Sequence, residues 1–189
     1  MICRWYHIVF FFVLATGVIG QSGVNIRAGV GTMITDESSF TMEDGAHYGW
    51  RGAVMARIGA SDTWFFEPGL SYERYNINSS SEFNAFDAEP KLHFLKGYIN
   101  LSTFLIRTRL FKMRLAGGGN INYLARIEDN PGYDLNDFSD ATLGLNAGLG
   151  FDIWILTIDV GYEHALTDFF HDKEDPYNRF WTVSSGFFF

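Results

Sequence analysis

Residues 154–163 read WILTIDVGYE, and this stretch decides the fold because its side chains separate into two faces. One set of alternate positions is wholly apolar and consists of Trp154, Leu156, Ile158, Val160 and Tyr162. The set between them is mostly polar or small and consists of Ile155, Thr157, Asp159, Gly161 and Glu163. Successive side chains point to opposite faces of a β-strand. The stretch therefore predicts a strand with one apolar and one polar face.

The same alternation recurs along the chain, and no segment after Gln21 shows the 3.6-residue period of a helix. None is apolar enough over its length to be a transmembrane helix. The sequence predicts eight strands, over residues 24–34, 48–58, 63–75, 93–106, 112–126, 141–151, 154–165 and 179–189.

The predicted strands are joined by connections that alternate in length. The long, polar connections cover residues 35–47, 76–92, 127–140 and 166–178. The short ones follow residue 58 and lie at 107–111 and 152–153. An even strand number with long loops at one end and tight turns at the other is typical of transmembrane barrels. We predict an all-β fold, an eight-stranded antiparallel up-and-down transmembrane β-barrel.

Charge and cysteine content exclude several classes of function. The formal net charge is −8, whereas a nucleic-acid partner requires a basic surface, so no nucleic-acid partner is expected. The single cysteine, Cys3, allows neither a disulfide framework nor a thiolate metal site. No metal-ligand motif or phosphate-binding glycine loop is present, and no cofactor is expected.

The first residues have the pattern of a secretory leader. Arg4 precedes an apolar run over residues 8–19, which is too short to span a bilayer as a helix. Val18 and Gly20 satisfy the small-residue rule for cleavage before Gln21. We predict a cleaved signal peptide over residues 1–20 and a barrel domain over residues 21–189.

Aromatic spacing indicates which face meets lipid. On three strands an aromatic pair is eight residues apart: Trp64 with Tyr72, Trp154 with Tyr162, and Trp181 with Phe189. In a tilted strand this spacing projects to about 20 Å, close to the separation of the girdles in an outer-membrane barrel. The apolar face is therefore expected to face lipid, with a secreted ligand-carrier barrel as the alternative. The predicted girdle residues are Trp50, Trp64, Tyr72, Tyr123, Trp154, Tyr162, Trp181, Phe187 and Phe189.

Several stretches together resemble a known family. They are WFFEPGLSYERY at 64–75, RLAGGGNINYL at 114–124, LGLNAGLGFDI at 143–153 and a final strand that ends in Phe189. With the leader and the eight strands, they resemble the PorT-like family of outer-membrane β-barrel proteins. The resemblance implies a Gram-negative outer-membrane location with both termini periplasmic, and insertion by the barrel-assembly machinery, which binds the C-terminal strand. Some members are linked to protein secretion, so a structural, partner-binding or secretion-linked role is expected.

The polar faces of the strands carry charges of both signs. The residues predicted to line the lumen are Arg27, Arg51, Arg57, Lys96, Arg114, Arg126, Glu67, Glu73, Asp152, Asp159 and Glu163. Glycine and alanine are expected to fill the remaining inward positions. Because an eight-stranded barrel has room only for side chains, these charges are expected to pair and close the lumen.

The long connections are rich in Asp and Glu. A solvated surface is the first expectation for their acidic residues, and the long loops are also where a protein partner is expected to bind, since loops carry variable function. Divalent-cation binding that bridges anionic lipid is the alternative. The stretch DLNDFSD at 134–140 does not have the ligand spacing of a calcium loop.

An outer-membrane hydrolase of lipid or peptide is the main alternative class. It would combine His164 and Glu163 with Ser71 or Ser102 on other strands. His47, His93 and His171 also lie near loop ends. No nucleophile elbow is present, and we predict no catalytic residue.

Overall fold

The structure is a computed structural model, and it describes residues 22–34, 46–59, 63–76, 91–128, 141–167 and 179–189. These residues form β1 Gly23–Ile34, β2 Ala46–Gly59, β3 Trp64–Asn76, β4 Lys91–Arg107, β5 Phe111–Glu128, β6 Ala141–Ile153, β7 Leu156–Ala165 and β8 Arg179–Phe188. Each strand boundary lies within two residues of the predicted one. The described residues contain no helix that is long and apolar enough to cross a membrane. Residues 1–20 and most of the long acidic connections lie outside the described part of the chain.

The strands form one closed antiparallel barrel in sequence order. β1 pairs with β8 from Asn25 opposite Phe188 to Ile34 opposite Arg179. Beyond that register, Val24 and Phe189 exchange two backbone hydrogen bonds of 2.9 Å. No strand edge is left open, so the predicted eight-stranded antiparallel barrel is confirmed.

The apolar face of the wall points outward and the polar face inward. Ile99 and Leu70, at mid-height, are 66% and 62% exposed. Lys96 and Arg114 are buried inside the barrel, at 0% and 1% exposure. An apolar exterior around a charged interior suits a lipid environment. It is the reverse of the arrangement expected for the secreted ligand carrier.

A β-bulge in β5 changes which residues face outward near the long-loop end. His93 pairs with Arg126 and Phe94 with Leu124, which leaves Ala125 as the extra residue. Beyond the bulge Arg126 is exposed, while Ile127 packs against the interior. The prediction that Arg126 lines the lumen is therefore wrong, because an inserted residue reverses the alternation of the strand.

The β6–β7 turn lies at Trp154 and Ile155, two residues later than predicted. Trp154 has a φ of 56°, a left-handed conformation that is uncommon for a bulky side chain. Its amide donates a 3.1 Å hydrogen bond to the carbonyl of Leu110 in the neighbouring turn. Trp154 therefore belongs to a turn and not to β7, so its spacing to Tyr162 does not run along one strand.

Candidate functional site

The lumen contains two clusters of paired charges. The cluster nearer the short turns, called the turn-side cluster, consists of Arg27, Arg57, Arg114, Glu67, Asp152 and Asp159. Arg114 binds all three carboxylates: Nη1 lies 3.2 Å from Glu67 Oε2, Nε lies 3.3 Å from Asp152 Oδ1, and Nη2 contacts Asp159. Arg57 Nη1 lies 2.9 Å from Asp152 Oδ2, and Arg27 Nη1 lies 3.1 Å from Asp159 Oδ2. Three guanidinium groups balance three carboxylates, which gives the cluster a formal charge of zero.

The cluster nearer the long loops, called the loop-side cluster, consists of Arg51, Lys96, Glu73 and Glu163. Lys96 Nζ lies 3.2 Å from Glu73 Oε2 and 3.0 Å from Glu163 Oε2. Arg51 Nε lies 3.3 Å from Glu73 Oε1. Two cations therefore balance two carboxylates, and this cluster is also formally neutral.

Neutral donors complete the loop-side cluster. Ser71 and Tyr75 each donate a 2.8 Å hydrogen bond to Glu73, and Asn122 donates one of 2.6 Å to Glu163. Arg51 donates to the Tyr98 hydroxyl at 2.8 Å. Burying a charge costs free energy unless the charge is both paired and hydrogen-bonded, and these contacts meet that requirement.

Apolar side chains close the lumen beyond each cluster. At the long-loop end the plug is formed by Met33, Tyr75, Leu92, Phe94, Leu124 and Phe180. At the short-turn end the guanidinium carbon of Arg57 lies 4.3 Å from the ring centroid of Phe188 and 4.7 Å from that of Phe65. Such cation–π contacts allow a charged cluster to end against aromatic rings.

The long-loop plug corrects the expectation that glycine and alanine fill the rest of the lumen. The sequence signal was present, because Leu92 and Phe94 have the same strand parity as Lys96. Tyr75 likewise has the parity of Glu73. An inward face can thus change from polar to apolar along one strand.

A small space lies between the two clusters. A cavity of about 80 Å³ is bordered by Arg27, Arg51, Tyr98 and Asn100. This space is large enough for a few water molecules. The described interior is therefore filled by side chains around a small polar cavity, and it contains no wide passage.

The predicted girdle residues lie on the outer surface in two bands. The band near the long loops contains Trp50, Tyr72, Tyr123, Tyr162 and Trp181, and the band near the short turns contains Trp64, Trp154, Phe187 and Phe189. Within the first band, ring centroids are 5.7 Å apart for Trp50 and Tyr72 and 4.8 Å apart for Tyr162 and Trp181. Aromatic rings at these two heights suit the interfaces of a bilayer.

The residues considered for hydrolysis do not come together. Ser71 and Ser102 face the lumen, where they donate to Glu73 and Glu67 at 2.8 and 2.6 Å. His164 belongs to the outward face of β7, while its neighbour Glu163 binds Lys96 inside. Among the described residues no group of three or more His, Cys, Asp or Glu side chains is placed to hold a metal ion. His171 and the DLNDFSD stretch lie outside the described residues.

Comparison with known proteins identifies the class of this barrel. A family profile described as outer membrane protein β-barrel domain matches residues 17–171. No curated protein matches the chain in sequence.

Solved structures of outer-membrane proteins share the fold. Neisserial surface protein A is 17% identical, with coverage of 90% of this chain and 99% of that one and a TM-score of 0.57. Ail of Yersinia pestis, in complex with the heparin analogue sucrose octasulfate, is 15% identical, with coverages of 89% and 99% and a TM-score of 0.52. OprG of Pseudomonas aeruginosa is 12% identical, with coverages of 89% and 96% and a TM-score of 0.50. At these identities the likeness concerns the fold alone.

Proposed function

Because the chain belongs to the outer membrane protein β-barrel domain family, we propose that it is a closed barrel that binds a protein partner at the cell surface through its long loops. The observation that carries this proposal is the filled lumen with its two charge-balanced clusters. A wall that faces lipid and an interior occupied by paired side chains leave the loops as the surface free for recognition.

The proposed orientation puts the long loops outside the cell. β1 begins and β8 ends at the same end of the barrel as the short turns, as an even strand number requires. Short turns of outer-membrane barrels lie on the periplasmic side. We therefore propose that both ends of the barrel domain lie in the periplasm, which would also suit export through a leader over residues 1–20.

The finer assignment follows the resemblance to PorT-like proteins. Some of those proteins are linked to protein secretion, so a component of a secretion complex is the partner we favour. Insertion by the barrel-assembly machinery would use β8, whose outward residues Trp181, Val183 and Phe187 are exposed. The link of Val24 to Phe189 would form last, as the barrel closes.

Conductance and partner capture test the proposal together. We expect the refolded protein to give no large, stable channels in a planar bilayer. Crosslinking in outer membranes is expected to capture a partner that is lost when residues 77–90 or 129–140 are shortened. The lumen variant Tyr98→Phe serves as the matched control, and it should keep the partner. Large stable channels, or capture that survives loop shortening, would contradict the proposal.

The hydrolase alternative is tested on the same material. A screen with lipid and peptide substrates is expected to show no turnover by the refolded protein. Turnover that His164→Ala abolishes would move the protein into the enzyme class instead.

A further inference from the structure

Three basic residues occupy outward positions of three neighbouring strands near the long loops: Arg126 is exposed and Arg74 half-buried, whereas His93 between them is buried. Arg74 on β3 pairs in register with His93 on β4, which pairs with Arg126 on β5. Neighbouring strands lie about 4.8 Å apart, so the row spans ~10 Å. We call these three residues the basic row.

The basic row lies directly above aromatic residues of the long-loop band. On the same strands the next outward positions are Tyr72, Leu95 and Tyr123, which are also paired in register. The Tyr72 hydroxyl and His93 Nδ1 form a hydrogen bond, with ring centroids 5.8 Å apart. That contact occupies Nδ1 of the buried imidazole, so the two arginines are the more exposed groups of the basic row. Aromatic rings mark the depth of the bilayer interface, so the basic row lies at the height of lipid headgroups.

Among the side chains that the structure describes, none of the carboxylates lies on this outer face. The carboxylates whose side chains the structure describes all point into the lumen, and they are Glu67, Glu73, Asp152, Asp159 and Glu163. Basic groups at the height of the headgroups attract anionic lipid. Arginine in particular suits a phosphate, because its planar fork can donate two hydrogen bonds to one group.

An apolar groove lies below the basic row. It has a volume of about 930 Å³, and its lining includes Leu70, Gly97, Ile99, Gly119, Ile121 and Leu143. The register row of Leu70, Gly97 and Ile121 lies four residues below the basic row on β3 and β4 and, because of the bulge, five residues below it on β5, which is ~13 Å along the strands. The groove therefore starts where the acyl chains of a lipid would lie if its headgroup contacted the basic row.

Two glycines of this groove, Gly97 and Gly119, have room for a side chain. A Cβ at Gly97 would meet Ile121 Cγ2 at 3.5 Å and Leu70 Cδ2 at 3.6 Å, which are ordinary contacts. A Cβ at Gly119 would meet the carbonyl oxygen of Gly144 at 3.7 Å. Glycine weakens a strand, and in a strand interior it often marks the close approach of a ligand.

We propose that the outer face of β3–β5 binds one phosphorylated membrane lipid. Its phosphate lies on Arg74 and Arg126, on either side of the buried His93, and one acyl chain lies in the groove over Gly97 and Gly119. The inference rests on insertion in the outer membrane, but it does not depend on the loops, on a protein partner or on the closed lumen.

Lipid binding is measured on the refolded protein in nanodiscs of phosphatidylcholine to which phosphatidic acid is added. Phosphatidic acid that stays bound after release from the nanodisc is counted by native mass spectrometry. We expect one retained molecule of phosphatidic acid in preference to phosphatidylcholine. Equal retention of the two lipids would overturn the proposal, and so would full displacement of the lipid by inorganic phosphate, since that would exclude any role for the groove.

Variants separate the two parts of the site. The double variant Arg74→Gln with Arg126→Gln should weaken retention of phosphatidic acid about ten-fold, because charge-assisted hydrogen bonds to the phosphate are lost. Gly97→Leu should weaken it by filling the groove. The matched controls are Arg109→Gln in the short β4–β5 turn and Gly52→Leu, an outward glycine whose Cβ would meet nothing within 4 Å.

Folding is checked for each variant by its change in gel mobility on boiling. Unchanged retention in folded variants of the basic row, or equal loss in the controls, would contradict the site. A failure of the partner-binding proposal would appear only in the conductance and capture experiments and leave this result unaffected.

Discussion

Lys96 and Phe180 join the charged interior to the apolar plug. The ammonium nitrogen of Lys96 lies 3.6 Å from the ring centroid of Phe180, and it also pairs with Glu73 and Glu163. One side chain therefore neutralises the loop-side cluster and packs against the residues that close the long-loop end. The stability of the barrel and the closure of its lumen are expected to depend on the same few contacts.

Lys96→Met is expected to lower the free energy of unfolding by about 3–5 kcal/mol, because it leaves two buried carboxylates with one cation. Urea unfolding of the protein in lipid vesicles, followed by tryptophan fluorescence, measures the change. Adding Glu163→Gln should restore part of the loss by rebalancing the charge. If the single variant unfolds at the wild-type urea concentration, Lys96 does not neutralise this cluster.

Arg114→Leu is expected to destabilise the barrel by a similar ~3–5 kcal/mol, because Glu67, Asp152 and Asp159 all lose a partner. Arg109→Leu is the matched control, since Arg109 is exposed in the turn that precedes β5. The control should change the free energy of unfolding by less than ~0.5 kcal/mol. Equal unfolding midpoints for the two variants would mean that the turn-side cluster is not a packed interior.

Gly186→Ala is expected to destabilise the closing β1–β8 pair by about 1–3 kcal/mol through overpacking. A Cβ at Gly186 would lie 2.0 Å from the carbonyl oxygen of Ile26, whereas one at Gly52 would meet nothing within 4 Å. Gly52→Ala should therefore be neutral or slightly stabilising, since alanine suits a strand better than glycine. The unfolding midpoints of the two variants are compared with that of the wild type. An unchanged midpoint for Gly186→Ala would argue against this register of β1 and β8.

Ile99→Arg is expected to reduce the stability of the membrane-inserted barrel by about 2–4 kcal/mol, the cost of a charge near the bilayer midplane. Leu110→Arg introduces the same side chain in the exposed β4–β5 turn and should have little effect. The two variants are folded into vesicles, and the folded fraction of each is read from its gel mobility without boiling. Similar behaviour of both variants would show that Ile99 does not face lipid.

The strands and their faces could be predicted because a strand repeats every two residues, which a local stretch such as 154–163 displays by itself. The same rule located the girdle aromatics and most of the inward charges. It did not locate Arg126, whose direction depends on an extra residue at Ala125 opposite β4. A bulge depends on how a strand pairs with its neighbour. The alternation of β5 is regular up to the inserted residue, so it does not predict the bulge.

The amino-acid sequence is enough to predict a barrel with an apolar exterior, since alternation and connection length are local properties of the chain. The meeting of six charges in one neutral cluster and of four in another is visible only in the folded barrel, because these residues come from strands far apart in sequence. The plug around Phe180 and the basic row from Arg74 to Arg126 were also decided by register, which brings together side chains of separate strands. Register is a property of strand pairs, so the composition of the lumen and of the outer rim follows from closure of the barrel.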